Sequence, residues 1–152
     1  MAVSPNTDFS TGQVLTAAQQ NNFPRGVMGY AKSTVDATIS TGAADITAMT
    51  TTFTAVANRL YRATFEGFYS MSANSQNQFF FTNGSNVQED MTFQDTANGE
   101  FTTICFQYIF TATAGSKTLK VRALTSAGTM TIYGATGASR SYSLVVEDLG
   151  PA

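Results

Sequence analysis

The chain has 152 residues, the length of one domain, and a fold of that size can bury a sufficient core without staples. Only 12% of its residues are charged, its net charge is −2 and no Lys/Arg cluster occurs, so the electrostatic footprint of a nucleic-acid binder is missing. Histidine is absent and Cys105 is the one cysteine, which excludes Ser–His and Cys–His nucleophiles, an intrachain disulfide and the usual zinc sites.

Met1 to Asp8 holds neither a basic residue nor an apolar run, so no signal peptide is read there. No stretch approaches the roughly twenty apolar residues of a membrane helix. The expectation is a protein made in a reducing cytoplasm and not exported by a secretory route. Residues 1–25 read as an extended arm carrying one short helix. Thr16 followed by Gln19 matches a capping box, Ala17 and Ala18 favour helix, and Pro24 disfavours it at Phe23. A helix of one and a half to two turns is unstable alone. It is expected to dock through Phe9, Val14, Leu15 and Phe23, either on its own β-domain or on a neighbouring protein.

From Gly26 to the end the pattern is a train of short strands rich in threonine, which suits a pleated strand and solvates its outer face without charge. Strands are expected at Gly26–Lys32 and, after a Ser/Thr/Gly/Ala linker, at Ile46–Thr54. Asn58 marks a turn. Arg59–Met71 then alternates, with Tyr61, Ala63, Phe65, Tyr69 and Met71 on one face and Arg62, Thr64, Glu66 and Ser70 on the other. Gln78–Thr82 runs into Asn83-Gly84, a hairpin signal, and Val87–Phe93 returns. Asn98-Gly99 is a second such turn.

Phe101–Thr113 is the most apolar strand. Ile104, Phe106, Tyr108 and Phe110 share one face, while Phe101, Cys105 and Ile109 hold the other. A strand apolar on both faces is either central in a sandwich or lies against another subunit. Cys105 is expected to be a buried, inert thiol. Lys117–Thr125, Thr129–Tyr133 and Ser141–Glu147 complete about eight strands, the spacing of an all-β fold. The fold class expected is a jelly-roll-like antiparallel β-sandwich over residues 26–152.

Little here can do chemistry. Glu89-Asp90, Asp95 and Glu100 are the carboxylates a glycosidase or a calcium site would use, but adjacent acids in a hairpin read as a solvated turn, and the ligand spacing of a calcium loop is missing. Asn83-Gly84-Ser85 fits the glycosylation pattern and reads simply as the turn. Tyr30, Tyr108, Tyr133 and Tyr142 are candidates for stacking on sugar, although packing in the core or at a subunit interface is the favoured reading for most of them. No catalytic residue, metal site or cofactor is expected.

The stretch FSTGQVLTAAQQNNFPRG (Phe9 to Gly26) resembles the opening of many small virion proteins of tailed bacteriophages, in which a G-x-V-L-T-A element and a following N-x-(F/L)-P-R-G lead into a β-domain. FTAVANRLYRATFEG, TAGSKTLKVRA and the terminal LVVEDLGP resemble that group too. The resemblance implies a virion component of the decoration, head-fibre or minor tail kind, often trimeric. The expectation is therefore a homotrimeric capsid decoration protein, anchored on the major capsid protein or another virion protein by Phe9, Val14, Leu15, Thr16, Phe23 and Arg25. Phe80, Phe106, Tyr108 and Phe110 are expected at the subunit interface. The alternative is a tail-fibre or minor tail protein that recognises host-surface glycan through a shallow site around Ser72–Gln78 and Asp95–Glu100.

Overall fold

The computed structural model describes Val14 and residues 16–21, 23–134 and 140–152. One helical turn, α1 (Ala17–Asn21), precedes the strands. Phe9 and Leu15 lie outside the described residues, as does the side chain of Gln19.

Ten strands follow in chain order: β1 (Gly26–Ser33), β2 (Ala37–Ile39), β3 (Ala44–Ala55), β4 (Arg59–Met71), β5 (Ser75–Asn83), β6 (Gln88–Thr96), β7 (Phe101–Thr111), β8 (Gly115–Thr125), β9 (Met130–Ile132) and β10 (Tyr142–Pro151). They form two antiparallel sheets. In the first, β4 lies between β7 and β10, and β1 pairs with the far side of β10. Past Glu66, where β10 stops pairing, β9 takes its place beside β4 and carries β2. The second sheet has the order β3-β8-β5-β6. Of the successive described strands, only β5 and β6 pair directly, so nearly every connection crosses from sheet to sheet or strides along one. This is the wrapped arrangement of a jelly roll.

The alternation read for β4 holds over its whole length. Tyr61, Ala63, Phe65, Tyr69 and Met71 are all buried and meet Phe79, Phe81, Leu119 and Val121 of the other sheet in one core. Each such large apolar side chain contributes about 1.5–3 kcal/mol by leaving water. Tyr142, Leu144 and Val146 of β10 enter the same core. One set of polar side chains in the interior is tied together: Tyr69 Oη lies 2.7 Å from Thr96 Oγ1, to which Asn77 Nδ2 donates at 3.1 Å.

The hairpin read at Asn83-Gly84 forms, β5 pairing with β6 across it, but its loop is longer than two residues. Asn83 Oδ1 accepts from the amides of Ser85 and Val87, and Asn86 takes the left-handed backbone (φ 62°), so an Asn side chain organises a longer loop. Asn98-Gly99 does turn the chain, with Gly99 at φ 73°, but it joins β6 to β7 on the opposite sheet. The supposed linker after Ser33 contains β2, too short to show a period. Asn58 adopts the left-handed conformation (φ 59°) that its turn requires.

Candidate functional site

Directly paired residues of an antiparallel sheet share a face, so the strand register maps the outside of the first sheet. One row across it reads Val27, Glu147, Arg62, Ile109, and the next reads Tyr30, Val145, Thr64, Gln107. A third reads Lys32, Ser143, Glu66, Cys105. Val27, Tyr30, Phe101 and Ile109 are between 56 and 60% exposed. Among the described strands only Phe93, on β6, adds another large apolar side chain so open to solvent. Within the described strands the exposed large apolar side chains thus gather mainly on one face, with Val14, Val35 and Val87 exposed outside the strands.

The charges on that face are largely answered within it. Arg62 Nη2 donates to Glu147 Oε2 at 2.8 Å, and Ser143 Oγ donates to Glu66 Oε1 at 3.1 Å. At the far end Phe68 stacks on Phe101 with ring centres 5.5 Å apart, and Tyr133 joins both. The Arg140 guanidinium sits over the rings of Phe68 and Tyr133. Sequence reasoning put Phe101, Cys105 and Ile109 together on one face of β7 without showing that this face is the outer one. It missed Val27, Phe68 and Arg140, which only the strand order brings beside them.

β7 is not a central strand. It pairs with β4 alone, so of the two explanations for a strand apolar on both faces, the central one falls away. Cys105 is exposed, correcting the buried thiol: its side chain points outward, opposite Glu66. Among the residues expected at a subunit interface, Phe106 is buried in this chain's own core, stacked on Phe81 at 4.3 Å. Phe80 is also covered, on the outside of the second sheet between Met91 and Arg122. Tyr108 and Phe110 are half-buried and stacked at 4.8 Å. With Phe53 and Leu119 they line a hollow of about 220 Å³ between β7 and β8. Burial, with Glu89 and Asp90 adding to it, holds the Tyr108 hydroxyl above the usual phenol range.

Of the arm residues described, Val14, Thr16, Phe23 and Arg25 are all exposed. The root of the arm is held instead by Arg59, whose guanidinium donates to the main-chain carbonyls of Asn21 and Phe23.

The two segments expected to make a shallow polar site do meet. Asn98 N donates to Asn74 Oδ1 at 2.8 Å, and Asn74, Gln76, Asp95 and Ser126 line an open hollow without an aromatic ring. Of the proposed sugar-stacking tyrosines, Tyr142 is fully buried, its hydroxyl donating to the Val35 or Thr47 carbonyl, and cannot serve. Tyr30 is exposed and Tyr133 belongs to the aromatic cluster. The carboxylates are engaged locally: Glu89 accepts from Asn83 Nδ2, and Glu100 from the amide of Ala97. Among the described residues no three acids, cysteines or histidines gather where a metal ion could be held.

No family model matches this sequence, and no curated protein matches it significantly. Solved structures do. The Eiger TNF from S. frugiperda is similar over 84% of this chain and 96% of its own, at 13% identity and a TM-score of 0.51. The globular domain of zebrafish complement 1qA covers 80% of this chain and 96% of its own, at 13% identity and a TM-score of 0.39. A structure of infectious bursal disease virus, Gx strain, spans 98% of this chain and 42% of its own, at 10% identity and a TM-score of 0.43. At such identities the likeness is one of fold alone, and that fold is an all-β, jelly-roll-like sandwich.

Proposed function

We propose that this chain is a structural subunit of a bacteriophage particle, a decoration or head-fibre protein. Copies associate as a trimer through the outer face of the first sheet, and the N-terminal arm ties the assembly to the major capsid protein or another shell protein. The observation that carries the reading is the outer face of the first sheet, on which Val27, Tyr30, Phe101 and Ile109 stand exposed on β1 and β7 to either side of internally paired charges. Four strands at about 4.8 Å spacing and roughly eight residues of length give a plan area on the order of 500 Å². Its corrugated accessible surface is larger, and so comparable with the ~800 Å² each partner buries in a standard interface. The chain's few charges set up little repulsion between copies. The phage-like arm and terminal motifs supply the virion context. A protein that binds only the assembled shell stabilises that shell by mass action, and three arms on one trimer add avidity.

The test is to add purified protein to undecorated capsids and measure the stoichiometry bound, with and without residues 1–25. The reading expects saturable binding in multiples of three that is lost on deletion, while the trimer persists. Absence of binding by the intact protein would contradict it. The second reading, glycan recognition by a tail component, is favoured by the polar hollow at Asn74, Gln76 and Asp95. It expects host-cell binding that survives loss of the arm.

A further inference from the structure

α1 is a single turn and cannot hold itself in place. Among the described residues, contacts that reach from the sandwich to this segment's main chain come from Arg59. Arg59, the first residue of β4, is 4% exposed, and its partner Asp148 is 1% exposed. Arg59 Nε donates to Asp148 Oδ2 at 2.6 Å and Nη2 donates to Oδ1 at 2.8 Å, a two-pronged fork of the strongest kind. Asp148 Oδ1 also accepts the Gly150 amide at 2.8 Å, so the carboxylate is held from two sides.

The ion pair alone would satisfy Asp148. Yet Nη1 donates to the carbonyl of Asn21, the last residue of α1, and Nη2 donates to that of Phe23 at 2.5 Å. Late helical carbonyls lack partners inside the helix and carry partial negative charge, which a cation answers. The guanidinium is therefore a bracket. One side is clamped to β10, the other grips the main chain just before it enters β1.

We infer that Arg59 is the positioning residue of the N-terminal arm, and that the Arg59–Asp148 pair fixes where the arm leaves the sandwich. The arm departs from the pole formed by Val56–Arg59, Pro151 and Ala152, where the Ala152 amide donates to the Asn58 carbonyl at 3.0 Å. An arm rooted in this way meets a partner with its exit point already set, so less ordering is left to be done on binding. That consequence rests on the arm being the anchor; the bracket itself does not.

The experiment uses the full-length protein and three forms: wild type, Arg59→Lys, and the double variant Arg59→Met with Asp148→Leu. The double variant removes both charges together, so neither is left buried without a partner. Trypsin cleavage after the exposed Arg25 reports release of the root, and the urea midpoint reports the fold. With the fold intact, the double variant is expected to be cut after Arg25 at least about tenfold faster, the equivalent of one charge-assisted hydrogen bond. Arg59→Lys, which keeps the charge but not the fork, should fall between. An unchanged cleavage rate in a folded double variant would overturn the inference. Capsid binding is measured on the same proteins. Faster cleavage with weakened binding supports both the bracket and the anchoring role, whereas faster cleavage with undiminished binding supports the bracket and contradicts the arm as anchor.

Discussion

Arg59 and Asp148 are buried together, which makes them costly to remove singly. Arg59→Ala strands the Asp148 carboxylate and is expected to lower unfolding stability by about 3–5 kcal/mol, read from the urea midpoint. Phenols give a second residue-scale expectation. The hydroxyls of Tyr69, Tyr108 and Tyr142 are all held above their ordinary value of about 10, in each case first by burial. The unfolded chain therefore ionises first. Their contribution is fully present below that value and is lost as pH rises through the folded-state pKa values. Stability should be level through neutral pH and fall on the alkaline side, and Tyr108→Phe should soften the fall. Neither feature was legible in the sequence. Arg59 and Asp148 lie far apart in the chain, and only the pairing of β4 with β10, which sets Pro151 opposite Arg59, brings them together.

At the scale of elements, alternation was the reliable signal. β4 begins and ends where its period of two does, because one face meets the core along the whole strand. β7 was equally legible as two apolar faces, yet its place at a sheet edge was not, since edge and centre look alike when neither carries charge. Cys105 is exposed because it lies on the outer rather than the core face of the sheet, opposite the exposed Glu66 of β4, and the burial habit of free cysteine does not tell the two faces apart. Turn chemistry marked the hairpin at Asn83-Gly84, but the Asn side chain, rather than Gly84, organises its longer loop through the Ser85 and Val87 amides. Asn83→Ala should then cost roughly 1 kcal/mol, seen as a lower urea midpoint. A turn governed by Gly84 would leave that variant near wild type.

For the whole molecule, the face mapped by Val27, Tyr30, Phe101 and Ile109 separates what folding uses from what assembly would use. Ile109 is 59% exposed, so Ile109→Lys should change unfolding stability by no more than about 0.5 kcal/mol. It would nonetheless place an ammonium group within the proposed interface, on its edge strand β7. The sequence-level expectation of an interface at Phe80 and Phe106 failed because this chain covers both itself. The exposed large apolar residues lie on β1 and β7, two strands that only the fold brings into one sheet. The measurement that bears most directly on the account is sedimentation equilibrium of the full chain beside Ile109→Lys. The account predicts that the wild type runs at three times its 16.2 kDa and the variant at the mass of one chain, with matching unfolding curves. A wild type that stays at the mass of one chain across all concentrations would contradict it.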